Sequence, residues 1–167
     1  MNLHDWGRSM KKQKMFMVIS FLILAMLGTA TVAEAQDDIR EHRHCAHCGM
    51  DRKAYGYSRM IVHYDDGTAV GVCSLHCAVV EMDGNPARKV KFVEAADRDT
   101  RSLVNAEQAY WVIGGKKRGV MTQRPKWAFG TKSAAGAFIS ENGGQPATWA
   151  EALAAAREDL SGKQKHK

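Results

Sequence analysis

The sequence predicts an α+β protein, two small repeated ββα-type halves packed together and followed by a C-terminal helix. Three observations carry this. Tyr57–Tyr64 and Thr68–Cys73 are rich in aromatic and β-branched residues and are joined by Asp65-Asp66-Gly67, and Asp-Gly supplies the positive φ that a tight hairpin turn needs. Strand, loop, strand and helix then recur in the same order after Lys89, a weak internal repeat. Finally, Thr148-Trp149-Ala150-Glu151 is a capping box that opens a last helix.

In order, residues 1–35 read as a signal peptide. Arg8, Lys11, Lys12 and Lys14 precede an apolar run from Met15 to Leu27, and Ala33-Glu34-Ala35 offers small residues for cleavage. The alternative is an uncleaved anchor, because Met15–Ala33 could just span a bilayer. Cleavage places the mature chain, Gln36–Lys167, in the periplasm. Membrane contact is expected only if the leader stays. The whole chain carries a formal charge of +6, and removing Asp5, Glu34 and the four leader cations lowers it to +4. Basic and acidic residues are interleaved, which argues for solvated surface and against a nucleic-acid partner.

Residues 36–44 form a polar arm, expected to be extended. The metal-binding domain follows at 45–146, its halves meeting near 88/89, and 147–167 is the terminal helix with a basic tail. In the first half, Ser74 is the expected N-cap of a helix over Leu75–Met82 closed by Asp83-Gly84. Cys73 and Cys77 then sit at a strand-to-helix junction, where the positive helix end favours thiolate. In the second half, Lys89–Glu94, Ala109–Ile113 and Trp127–Phe129 read as strands, and Thr131 caps a helix over 132–141 ended by Asn142-Gly143-Gly144. Trp149, Leu153, Ala156 and Leu160 recur at helical spacing and are core residues.

The chemistry concentrates in His44-Cys45-Ala46-His47-Cys48-Gly49-Met50 and Cys73-Ser74-Leu75-His76-Cys77, which hold all four cysteines. Two disulfides are the plain reading for an exported chain, and a Cys48 to Cys73 staple stays open. Against it, Cys-x-x-Cys lets two sulfurs reach one ion, Gly49 permits a tight bend, and Met50 can add a thioether. A thioether suits Cu(I) and is a poor zinc ligand. His44, His47 and His76 are interleaved candidates; His63 reads as a strand residue, and His42 and His166 as solvated. Tyr110, Trp111 and Trp127 read as core between the halves. No catalytic triad, phosphate loop or paired carboxylate is present, so no catalytic residue is assigned and the chain is read as a non-enzyme.

Cys45-x-x-Cys48-Gly49-Met50, the Asp66-Gly67 hairpin, Ala109-Tyr110-Trp111-Val112-Ile113-Gly114, Gly119-x-Met121, and Trp127-Ala128-Phe129-Gly130 running to Phe138-Ile139 and Glu141-Asn142-Gly143-Gly144 together resemble the NosL family. The resemblance implies an exported copper-binding accessory protein, linked to maturation of nitrous oxide reductase, built from two ββα-type halves similar to those of organomercurial lyase. It implies a Cu(I) site at Cys48 and Met50, approached by Met121 and accompanied by Cys45, and a periplasmic copper enzyme or its maturation factors as partner. Two features depart from the family. Its members are usually lipoproteins, and this chain lacks their lipobox cysteine. The pair Cys73 and Cys77 is instead similar to TRASH metal-trafficking modules. With that pair, Zn(II) held by four cysteines in an interaction module is the competing expectation.

Overall fold

The computed structural model describes residues 37–164. The leader, Gln36 and the tail 165–167 with His166 lie outside the described residues. Among the described residues, two antiparallel sheets and four helices make up the α+β fold. The first sheet has the order β2-β1-β3-β4, with β1 Met60–Tyr64, β2 Ala69–Val72, β3 Val90–Ala96 and β4 Leu103–Asn105. The second has the order β6-β5-β7, with β5 Tyr110–Ile113, β6 Lys126–Phe129 and β7 Gln145–Ala147. In each sheet a hairpin-paired strand leads to a helix, α2 (Leu75–Gly84) or α3 (Lys132–Asn142), and a later strand pairs beside the hairpin's first strand. Strands β3 and β4 close the first sheet, although they follow residue 89. The sheets are stitched where Asp97 bridges Ala128 and its Oδ2 accepts the Gly130 N–H at 2.6 Å.

The polar arm is not extended as expected: Asp37–Glu41 form a one-turn helix, α1. Five residues cannot sustain a helix by propensity. Here Asp38 anchors the turn, its carboxylate 2.8 and 2.9 Å from Arg59 and 3.0 Å from Arg52, both guanidinium groups fully buried. The strand expected from Tyr57 begins only at Met60, because residues 55–59 close a turn in which the Ser58 and Arg59 N–H groups donate to the Tyr55 carbonyl. The three-residue strands β4 and β7 were too short to show an alternating pattern; Pro146 fits β7 because β7 is an edge strand.

Thr131 caps α3 through its side chain, accepting from Ala134 N. Ser74 occupies its N-cap position in extended backbone but makes no side-chain cap bond. The capping box forms as expected: Glu151 accepts from the Thr148 N–H at 2.7 Å, and Thr148 Oγ1 accepts from Glu151 N. It opens α4 (Trp149–Gln164), which buries Ala152, Ala155 and Ala156 and packs Trp149 at a tilt against Trp111, ring centroids 5.3 Å apart. One core cluster joins Ala152, Ala156, Trp111 and Trp149 to Val62, Val79 and the three buried cysteines. Among the described residues, no helix is long and apolar enough to cross a membrane.

Candidate metal centre

The first cysteine segment is a closed loop. His44 and Asp51 bridge at its base, Cys45 N donates to Met50 O at 2.9 Å, and Gly49 N donates to Cys45 O at 3.0 Å. Gly49 has φ 72°, the left-handed conformation that glycine tolerates and the tight return requires. Ala46 N then donates to Gly71 O on β2, seating the loop against the strand that runs into Cys73. A side chain at Gly71 would collide with His42 and bring its Cβ within 2.9 Å of the Arg52 guanidinium, so the seat exists only with glycine there. Arg52 completes the mounting by donating to Val72 O at 3.2 Å and Met60 O at 3.1 Å.

Cys73 leaves the end of β2, and Cys77 lies one helical turn on, in the first turn of α2. The four cysteine sulfurs all lie within 4.8 Å of one another and are free thiols. Cys73 is the hub, 3.5 Å from Cys48 Sγ, 3.8 Å from Cys77 Sγ and 3.9 Å from Met50 Sδ. It also lies 3.8 Å from Ser74 Oγ, which explains why that hydroxyl does not cap the helix. Cys45, Cys73 and Cys77 are buried while Cys48 is exposed, so the cluster opens to solvent at one thiol. A tetrahedral ion with metal–sulfur bonds of about 2.3 Å sets its sulfurs about 3.8 Å apart. The donor set therefore needs only small adjustments to close on an ion of that size.

Protonation within the cluster is uneven. The hydrogen bond from Cys77, aided by those from Cys48, Ser74 and Cys45, holds the Cys73 thiol down to about 6 against the cost of its burial. Cys77 is pushed strongly up by that same bond and by its own burial, and the partial burial of the Cys48 sulfur, on an otherwise exposed residue, drives that thiol up to about 11. At neutral pH Cys73 is the thiolate, and an ion that recruits Cys48 or Cys77 must displace a proton. Affinity should therefore rise with pH above about 6, by about one unit of log K per pH unit for each protonated thiol recruited. A metal-competition series from about pH 7 to about pH 9 checks this; a flat profile would mean that the thiols are already ionised.

The histidines are placed differently from one another. His47 Nε2 lies 2.7 Å from the carboxylate of Glu81, so this ring ties the loop to α2. His44 Nδ1 is 3.3 Å from Gly49 O, within its own loop. His76, half-buried between Cys73 and Cys77, faces a small pocket shared with Ser74, Leu75, Val120 and Thr122. The two neighbours of Met121 thus lie against the Cys73–Cys77 segment, and Met121 itself is 39% exposed in the left-handed conformation, φ 58°. His63 sits on β1, stacked on Phe92 with Nε2 2.8 Å from Glu94. The group of mutually close donor atoms contains the four sulfurs and no histidine nitrogen.

Sequence reasoning missed two supports. Buried Glu81 joins His47 to the hydroxyl of Tyr64, which donates to it at 2.7 Å; burial and that bond push the tyrosine up to about 12. Asp38, Arg52 and Arg59 form the other. Their one available signal was the dense run of charge around an otherwise apolar strand.

The family model described as NosL matches residues 36–156. Among solved structures, the crystal structure of the copper chaperone NosL from Shewanella denitrificans superposes with a TM-score of 0.52 at 22% identity, covering 65% of this chain and 87% of that one. At that identity the likeness establishes the fold. No curated protein matches the chain.

Proposed function

Since the chain belongs to the NosL family, we propose that it is a copper chaperone, which binds Cu(I) as cargo and passes it on without catalysing a reaction. One observation carries the choice of ion: a thioether, Met50 Sδ, stands 3.9 Å from the hub thiol of a four-cysteine cluster. Thiolate together with neutral thioether selects a soft monovalent ion over a borderline divalent one. The copper chaperone with the similar fold supports the reading. In the proposed site Cys73, Cys48 and Met50 hold the ion, Cys45 and Cys77 complete or exchange the thiolate set, and Met121 is an outer donor from the second half. His47 and His76 flank the site as candidates for transient ligation. Exposed Cys48 is where a partner's donor enters, and transfer proceeds by stepwise ligand exchange. The reading further places the protein in the periplasm, exported by its leader, with a copper enzyme such as nitrous oxide reductase or its maturation factors as recipient.

Met50→Ala tests the ion. It should weaken Cu(I) binding by about ten- to a hundredfold, the scale on which supporting metal contacts act. Zn(II) binding should stay within about twofold, because neutral sulfur contributes little to zinc. Parallel competition titrations without oxygen read both. The second reading is a structural zinc module closed by Cys45, Cys48, Cys73 and Cys77, and it rests on the same four sulfurs lying within 4.8 Å. Under it, Met50→Ala changes neither affinity.

A further inference from the structure

A second concave site is built on a different set of residues. A pocket of about 410 Å³ lies between Tyr57, Trp127, the loop 97–102 and the basic loop after β5, a volume in the range of small-molecule sites. Four cations line it, Arg98, Arg101, Lys117 and Arg118, against the one carboxylate of Asp99. That carboxylate is already matched by Arg98 Nη1 at 2.6 Å. Three cations therefore face the pocket in excess of its own acid.

The cradle is held firmly. Buried Asp97 accepts the N–H groups of Asp99 at 2.9 Å and Thr100 at 2.8 Å through Oδ1, and that of Gly130 through Oδ2. Arg101 has φ 63°, a left-handed conformation uncommon for a long side chain. It is fixed there by its N–H donating to Asp97 O at 2.8 Å and by its carbonyl accepting from buried Arg59 at 2.7 Å. Strain of this kind persists where the surroundings over-determine it, and it clusters at ligand sites. Two residues of the lining also carry a buried donor with no hydrogen-bond partner among the described residues, Arg98 Nε and Trp127 Nε1. The Arg98 guanidinium is held over the Trp127 and Phe138 rings, 5.5 and 4.8 Å from their centroids, so its place is set before any ligand arrives.

We propose that this pocket binds a small organic or inorganic oxyanion, carrying carboxylate or phosphate oxygens, through Arg101, Lys117 and Arg118, beside Arg98 and Trp127. Guanidinium groups offer paired N–H donors that match both oxyanions, and the rings of Tyr57 and Trp127 supply a face for an organic body. The site is independent of copper and stands or falls apart from that reading.

The test follows the indole N–H resonance of Trp127, assigned with Trp127→Phe, in isotope-labelled protein titrated with citrate, inorganic phosphate or sodium chloride at matched ionic strength. A saturable shift with a midpoint of about 1 mM or below is expected for citrate or phosphate, and the tighter of the two identifies the source. Arg101→Asn combined with Arg118→Gln should weaken it roughly tenfold, with the remaining spectrum and Cu(I) affinity unchanged. Asparagine is chosen because it tolerates the left-handed backbone. No shift, a shift matched by chloride, or one indifferent to the double substitution would overturn the proposal.

Discussion

Replacing Asp38 by alanine should destabilise the protein by about 3–5 kcal/mol, the scale for removing one member of a buried ion-pair network. Asp38 pairs with both Arg52 and Arg59, whose side chains are 0% and 1% exposed. Without it, two desolvated cations face each other in the mounting of the metal loop. For a domain of this size the melting temperature should fall by about 10–20 °C. Burial alone would raise the Asp38 carboxyl, but Arg59 and Arg52 more than offset it and hold it below the usual carboxylate range. A carboxyl lowered on folding contributes stability that is present above its unfolded value and is lost as pH falls through its folded value. Acid should therefore remove this contribution in wild type and have less to remove in Asp38→Ala. Thermal melts across an acid pH series measure both. A shift of only a degree or two would mean that α1 is decoration and that the arginines are satisfied by backbone carbonyls alone.

The second large effect is on binding. Cys73→Ser should lower Cu(I) affinity by more than roughly 100-fold, beyond the range for supporting residues. Cys73 is the sulfur that approaches Cys48, Cys77 and Met50 together, and it ionises first, at about 6. A serine hydroxyl is a hard donor that stays protonated at neutral pH, so both the geometry and the charge are lost. Cys48→Ser, at the exposed mouth, should weaken binding less and slow transfer to an acceptor more. A melt of the copper-free Cys73→Ser protein separates ligand loss from misfolding, because a buried serine costs only about 1–3 kcal/mol. Equal losses from all four Cys→Ser variants would contradict the hub and favour a symmetric four-thiolate site.

The cysteine cluster was legible in the sequence because its signals are local. Cys45, Cys48, Gly49 and Met50 belong to one loop, Cys73 and Cys77 to one helical turn, and hairpin chemistry at Asp66-Gly67 brings the two together. The Thr131 cap and the Thr148–Glu151 box were legible for the same reason. What escaped depends on distant partners. Asp38 meets Arg52 fourteen residues on and Arg59 twenty-one on, so a polar arm that looked extended folds into α1. His47 meets Glu81 across thirty-four residues, which gives the histidine a tether that no spacing announced. Residue type alone also could not show that the Ser74 hydroxyl serves Cys73 and leaves its helix uncapped.

Whether this cluster takes Cu(I) as transferable cargo is read by a competition titration of the reduced protein under exclusion of oxygen. Cu(I) is titrated against a chromophoric chelator, with and without excess Zn(II). One Cu(I) should bind tightly in the presence of the zinc and be released to a stronger acceptor. Zinc retained through four thiols, with Cu(I) held no better than by a simple dithiol peptide, would contradict it and leave a zinc-built interaction module in its place.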